Sequence, residues 1–105
     1  MRRGEVWWAE LPPPVGRRPV VLLSRDAAYR VRTSVTVGMV TRTIRVIPVE
    51  VPLGPEDGLS QQCVVNLDDI LTIPKARLTE RITTLSPQKM TAVNRAIIFA
   101  LDLKV

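Results

Sequence analysis

Residues 16–26 read Gly16-Arg17-Arg18-Pro19-Val20-Val21-Leu22-Leu23-Ser24-Arg25-Asp26. From Pro19 to Leu23 every side chain is apolar. A run this short, rich in branched residues and closed by charge on both sides, reads as a strand covered on both faces, over residues 19–25. Pro19 has no N–H to give a ladder and suits the first position of a strand. Two fixed cations, Arg17 and Arg18, therefore stand at the mouth of a core strand.

The reading extends from there in both directions. GEVWWAEL (4–11) sets bulky aromatics in a β-favouring run and predicts a first strand. The prolines of LPPPVG cannot continue a ladder, so residues 12–17 are a loop. Residues 26–33 form a polar connection with room for one helical turn. SVTVGMVT (34–41) alternates, with Val35, Val37 and Met39 on one face and Thr36, Gly38 and Val40 on the other. VIPVEVPL (46–53) predicts a strand in which Pro48 marks an edge or a bulge. GPEDGLS (54–60) is a turn. CVVNLDDILTI (63–73) is apolar but interrupted by Asn66, Asp68 and Asp69, and RITTL (81–85) is a late strand. The end of the chain differs in kind. Ser86 is placed to cap a helix whose first residue is Pro87. Met90, Val93, Ile97 and Leu101 follow at helical spacing as its core stripe, thickened by Ala96 and Ala100. The expected fold is mainly β: one domain over residues 1–105, a small curled antiparallel sheet of five to seven short strands with a C-terminal α-helix.

Composition bounds the chemistry. A chain of 105 residues, 46% apolar, buries roughly two-thirds of its unfolded surface, enough to fold without disulfides or metal. The single cysteine, Cys63, cannot form an internal bridge, which fits a reducing, cytoplasmic setting. No run approaches the ~20 apolar residues of a membrane span, and MRRGEVWWAEL has no signal-peptide core; a soluble protein that is not exported is expected. The charge is lopsided. Residues 1–45 carry nine arginines against Glu5, Glu10 and Asp26, whereas residues 46–105 hold six basic and seven acidic groups. Twelve of the fifteen basic residues are arginine, whose planar fork suits bidentate phosphate contact and base stacking. A polyanionic partner explains this bias; a genome-wide or thermostability-driven preference for arginine explains it equally well.

There is no histidine, which excludes a Ser-His-Asp triad and the usual zinc sites. No glycine-rich phosphate loop is present. Asp68-Asp69 and Glu56-Asp57 are sequence neighbours, and on a strand neighbours point to opposite faces, so neither pair makes a two-carboxylate site. Arginine, hydroxyls and carboxylates remain. They suffice for phosphoryl transfer if positive charge and a donor are fixed where negative charge develops.

The series RRGEVWWAEL, GRRPVVLLSRD, VTRT, VVNLDDILTIPKARL and LSPQKMTAVNRAIIFALDL resembles the MazF/PemK family of toxin endoribonucleases, in the right order and over nearly the whole chain. The resemblance implies an SH3-like β-barrel acting as a homodimer. It implies metal-independent, sequence-specific cleavage of single-stranded RNA by 2′-hydroxyl attack, with no cofactor, and inhibition by a cognate acidic antitoxin. Carried over by residue, the family's catalytic arginine is Arg18 and its catalytic threonine is Thr41. Asp68 falls at a substrate-contacting position, and Asn66 stands where many relatives carry an arginine. Arg17, Arg42, Thr43 and Arg45 flank the implied site as candidates for substrate contact, although a solvated basic face accounts for such residues nearly as well. Trp7 and Trp8 are candidates for base stacking, with core and dimer-interface roles as the plainer reading. The loop between the first strand and Arg18 is shorter and stiffer than in many relatives. Two other functions fit the same fold: a CcdB-like gyrase-binding toxin and a non-catalytic RNA-binding barrel.

Overall fold

The computed structural model describes residues 1–105. Six strands form one antiparallel sheet: β1 (Glu5–Glu10), β2 (Arg17–Leu22), β3 (Ser34–Thr41), β4 (Glu50–Leu53), β5 (Cys63–Pro74) and β6 (Leu78–Thr84). Helix α1 (Ala28–Val31) is a single turn between β2 and β3, and α2 (Pro87–Ala100) follows β6. The strand order is β4-β5-β3-β2-β1-β6, so β2 is internal, as its unbroken apolar run requires.

Side-chain alternation splits the core in two. Val21 joins Val6, Val65, Leu67 and Val93 of α2 in one cluster. Val20 and Leu22 join Ala9, Val35, Val37 and Tyr29 of α1 in the other. All three β2 residues are fully buried, and each such side chain stabilises the fold by roughly 1.5–3 kcal/mol over its exposed state. Gly38 lets β3 and β5 approach closely: a Cβ there would lie 3.1 Å from Val65 Cγ2 and 3.3 Å from Leu67 Cδ1.

Edge strands β4 and β6 do not pair. The turn after β4, a 3-10 turn over Pro55–Asp57, closes the gap by packing on β6. Gly58 has φ +93°, and an added Cβ would meet Thr83 Oγ1 at 2.4 Å, so only glycine fits. Lys89 of α2 holds the same turn, lying 3.6 Å from Asp57 Oδ2 and donating to Pro52 O.

Three expectations need correction. The strand expected over 46–53 is shortened to Glu50–Leu53. Val46 has φ 55° and Pro48 has no N–H, while buried Glu50 Oε1 accepts the Arg45 and Val46 N–H groups at 2.9 and 3.0 Å. That carboxylate gathers the backbone into a loop in place of a ladder. Leu101 is not core; it lies past the end of α2 and is exposed, while Val93 and Ala96 are buried. Asp68 and Asp69 sit on a bulge, because the β3–β5 register jumps from Gly38↔Ile70 to Met39↔Asn66. Smaller differences are at boundaries: β2 begins at Arg17, and β6 begins at Leu78. Ser86 caps α2 as expected, its hydroxyl accepting Lys89 N–H at 3.1 Å. No helix is long and apolar enough to cross a membrane.

Candidate functional site

β2 and β3 are antiparallel, paired through Val20↔Met39 and Leu22↔Val37. Carried two residues further, that register sets Arg18 abreast of Thr41, at the start of one strand and the end of the other. Both line a cavity of about 680 Å³. Arg17, Arg42 and Thr43 line it as well, with Trp8, Pro19 and Val40 beside them and residues 58–61 forming the opposite wall. The lining includes three arginines and no carboxylate, which makes the cavity an anion-attracting concavity with a partly apolar floor.

The polar groups are held in different ways. Arg18 is half-buried and takes no hydrogen-bond or ion-pair partner, so its guanidinium is free for a ligand. Arg17 is engaged: its Nε lies 3.0 Å from Glu10 Oε1 and its Nη2 3.9 Å from Glu80 Oε2. Its guanidinium carbon stands 4.1 Å from the centre of the Trp8 ring. Arg42 Nη1 donates to Gln61 Oε1 at 3.3 Å, joining the end of β3 to the opposite wall. Thr41 Oγ1 accepts the N–H of Thr43 at 3.2 Å. That bond uses one of the oxygen's two lone pairs and leaves its O–H free to donate.

Cys63 also lines the cavity, but burial, with the nearby charges of Asp57 and Glu56, pushes its thiol above the ordinary value. A protonated, buried thiol is a poor nucleophile. No three histidine, cysteine or carboxylate side chains converge anywhere on the chain.

Five of the seven sequence-derived site residues thus meet in one cavity: Arg17, Arg18, Thr41, Arg42 and Thr43. Asn66 and Asp68 lie outside its lining. Asn66 is buried, and its Oδ1 accepts the Asp68 N–H at 2.9 Å, which shapes the β5 bulge. Trp8 is a lining residue partnered with Arg17, while Trp7 is half-buried against the second core cluster and donates its indole N–H to Glu5 Oε1 at 2.9 Å. Sequence reading missed the wall formed by Gly58, Leu59, Ser60 and Gln61. Its only signal was the polar Ser60-Gln61-Gln62 run between a turn and a buried strand.

Comparison with known proteins identifies the family. Residues 2–101 match the family described as PemK-like, MazF-like toxin of type II toxin–antitoxin system. The chain is 42% identical over 101 residues to the probable endoribonuclease MazF5 of Mycobacterium tuberculosis, covering 95% of this chain and 92% of that protein. It is 37% identical to the endoribonuclease MazF of Staphylococcus saprophyticus, covering 98% and 92%. Among solved structures it superposes on the Mycobacterium tuberculosis toxin MazF-mt6 with a TM-score of 0.89, at 35% identity and 96% and 99% coverage. A mycobacterial endoribonuclease in complex with its cognate antitoxin gives a TM-score of 0.89 at 32% identity, covering 100% and 98%. This chain belongs to the MazF/PemK family of toxins of type II toxin–antitoxin systems.

Proposed function

We propose that this toxin is an endoribonuclease that cuts single-stranded RNA within the cavity between Arg18 and Thr41, without a metal ion. The observation that carries this reading is the pairing of a guanidinium with no protein partner and a hydroxyl whose O–H is free to donate, in one cavity whose lining has no carboxylate. The substrate brings its own nucleophile. The ribose 2′-oxygen bonds to phosphorus as its proton passes to solvent. The P–O5′ bond then breaks, and the departing oxygen takes a proton. The products are a 2′,3′-cyclic phosphate and a 5′-hydroxyl. Arg18 holds the phosphate, offsets the charge of the pentacoordinate state and donates to the leaving oxygen; a guanidinium carries five N–H donors and no acceptor, so it serves as a donor and not as a base. Thr41 donates to a non-bridging oxygen. Arg42 and Thr43 contact flanking nucleotides, and Arg17 lies along the same path. Asn66 and Asp68 act only where RNA extends past the cavity toward β5.

A homodimer and a cognate antitoxin belong to the same reading. Ile44, Val46 and Ile47 are exposed before β4, and Phe99, Leu101 and Leu103 at and beyond the end of α2. Pro48 and Phe99 share a groove between the two segments, an apolar surface suited to a second copy. The relative solved with its cognate antitoxin supports an antitoxin partner, and the arginine-rich first half of the chain suits an acidic one. A cytoplasmic setting follows from an RNA target. The gyrase-binding and non-catalytic alternatives are not favoured by any feature of the cavity.

The test is digestion of a long RNA in EDTA with both ends mapped. Discrete cuts with 5′-hydroxyl and cyclic phosphate ends are expected, and a 2′-deoxy nucleotide at a mapped cut should block it. Dependence on added metal, or cutting of the deoxy substrate, contradicts the mechanism.

A further inference from the structure

Arg17 and Arg18 are neighbours in sequence and opposites in their surroundings. A phosphate placed at Arg17 would sit beside Glu10 and Glu80, whose carboxylates already match that guanidinium's charge. Arg17 is therefore poorly suited to hold the RNA backbone. Its geometry suits another task. One face of the guanidinium lies on the Trp8 indole, 4.1 Å from the ring centre, and the ion pair to Glu10 fixes its plane. The side chain is 48% exposed, and both residues line the cavity that contains Arg18 and Thr41.

We propose that Trp8 and Arg17 form a stacking shelf for one nucleobase of the bound RNA, adjacent to the phosphate held by Arg18. This rests on the reading of the cavity as an RNA site. Bases stack on arginine planes and aromatic faces whatever their hydrogen-bonding edges. The stack orders as indole, guanidinium, base. Glu10 and Glu80 serve here as positioning groups: they orient the plane and keep Arg17 from capturing the phosphate. The subsite selects for the presence of a base, and more strongly for a large purine face, without reading its edge.

The test separates this subsite from cleavage. A 2′-O-methyl RNA 12-mer, selected from a random pool by binding to the intact protein, cannot be cut by the proposed route. Each base is then replaced in turn by an abasic residue, and affinity is followed by fluorescence anisotropy. For the wild-type protein, one position should lose roughly 10–100-fold on base removal. Arg17→Lys keeps the charge and loses the plane. It should weaken the parent 12-mer by a similar factor, become insensitive to the abasic substitution at that position, and leave the salt dependence of binding unchanged. Trp8→Phe, with a smaller support for the guanidinium, should lose part of the same sensitivity, and thermal melts confirm that both variants are folded. An abasic profile in Arg17→Lys identical to wild type overturns the proposal, as does a wild-type protein with no base-sensitive position or no affinity for RNA. If the 2′-O-methyl 12-mer is bound with the expected pattern but unmodified RNA of the same sequence is never cut, the shelf stands and the cleavage reading falls.

Discussion

Thr41 Oγ1 accepts the backbone N–H of Thr43 at 3.2 Å, so the hydroxyl at the end of β3 is anchored by the chain's own turn. Its proton is free to point into the cavity beside Arg18. In the proposed mechanism, threonine at this position is an oriented donor and not only a β-former.

Thr41→Ser should keep the turn and the donor, and lower the single-turnover cleavage rate only a few-fold. Thr41→Val, of nearly the same shape, should lower it by about 10²-fold, as expected for one lost donor to developing charge. Equal rates for the two variants would remove Thr41 from the chemistry.

The Lys89–Asp57 contact ties α2 to the turn that leads into the cavity's second wall. Asp57 is 7% exposed at its side chain, and its Oδ2 also accepts Gly54 N–H at 3.0 Å. Lys89→Met leaves a largely buried carboxylate without its cation and should cost about 2–4 kcal/mol in urea denaturation. Asp57→Asn in the same chain should recover part of that loss.

The strong periodic signals in the sequence were sufficient for β2, β3 and α2, because burial on both faces, alternation and a Ser-Pro cap are local properties. Residues 46–49 were misread as strand because the competitor for the Arg45 and Val46 N–H groups, the Glu50 carboxylate, acts through tertiary burial. The β5 bulge was hidden for a related reason: Leu67-Asp68-Asp69 fits a strand until Asn66 turns back to bond Asp68 N–H. For the site, the antiparallel register joins two residues 23 apart, and the family resemblance singled them out. Gly58 to Gln61 were opaque, since turn residues carry no pattern that says what they face.

Alkaline stability should depend on Tyr29. Burial, with the charge of Asp26, pushes its hydroxyl up to about 12, and the group donates to Ser24 O at 3.1 Å. A raised acid stabilises the fold fully below the unfolded value near 10, and that contribution is lost as pH rises through about 12. Tyr29→Phe should cost about 1 kcal/mol at neutral pH. Between pH 10 and 12 the wild type should lose stability faster than the variant, so that the two denaturation midpoints converge.

The account stands on one side chain at the start of β2. Removing the guanidinium of Arg18 should abolish strand scission without unfolding the barrel, because nothing in the protein leans on it. The direct measurement is single-turnover cleavage of a defined RNA in EDTA by Arg18→Ala, beside wild type, with far-UV circular dichroism of both. A rate lower by at least about 10²–10³-fold in a folded protein is the predicted result; undiminished cutting by the variant would contradict it.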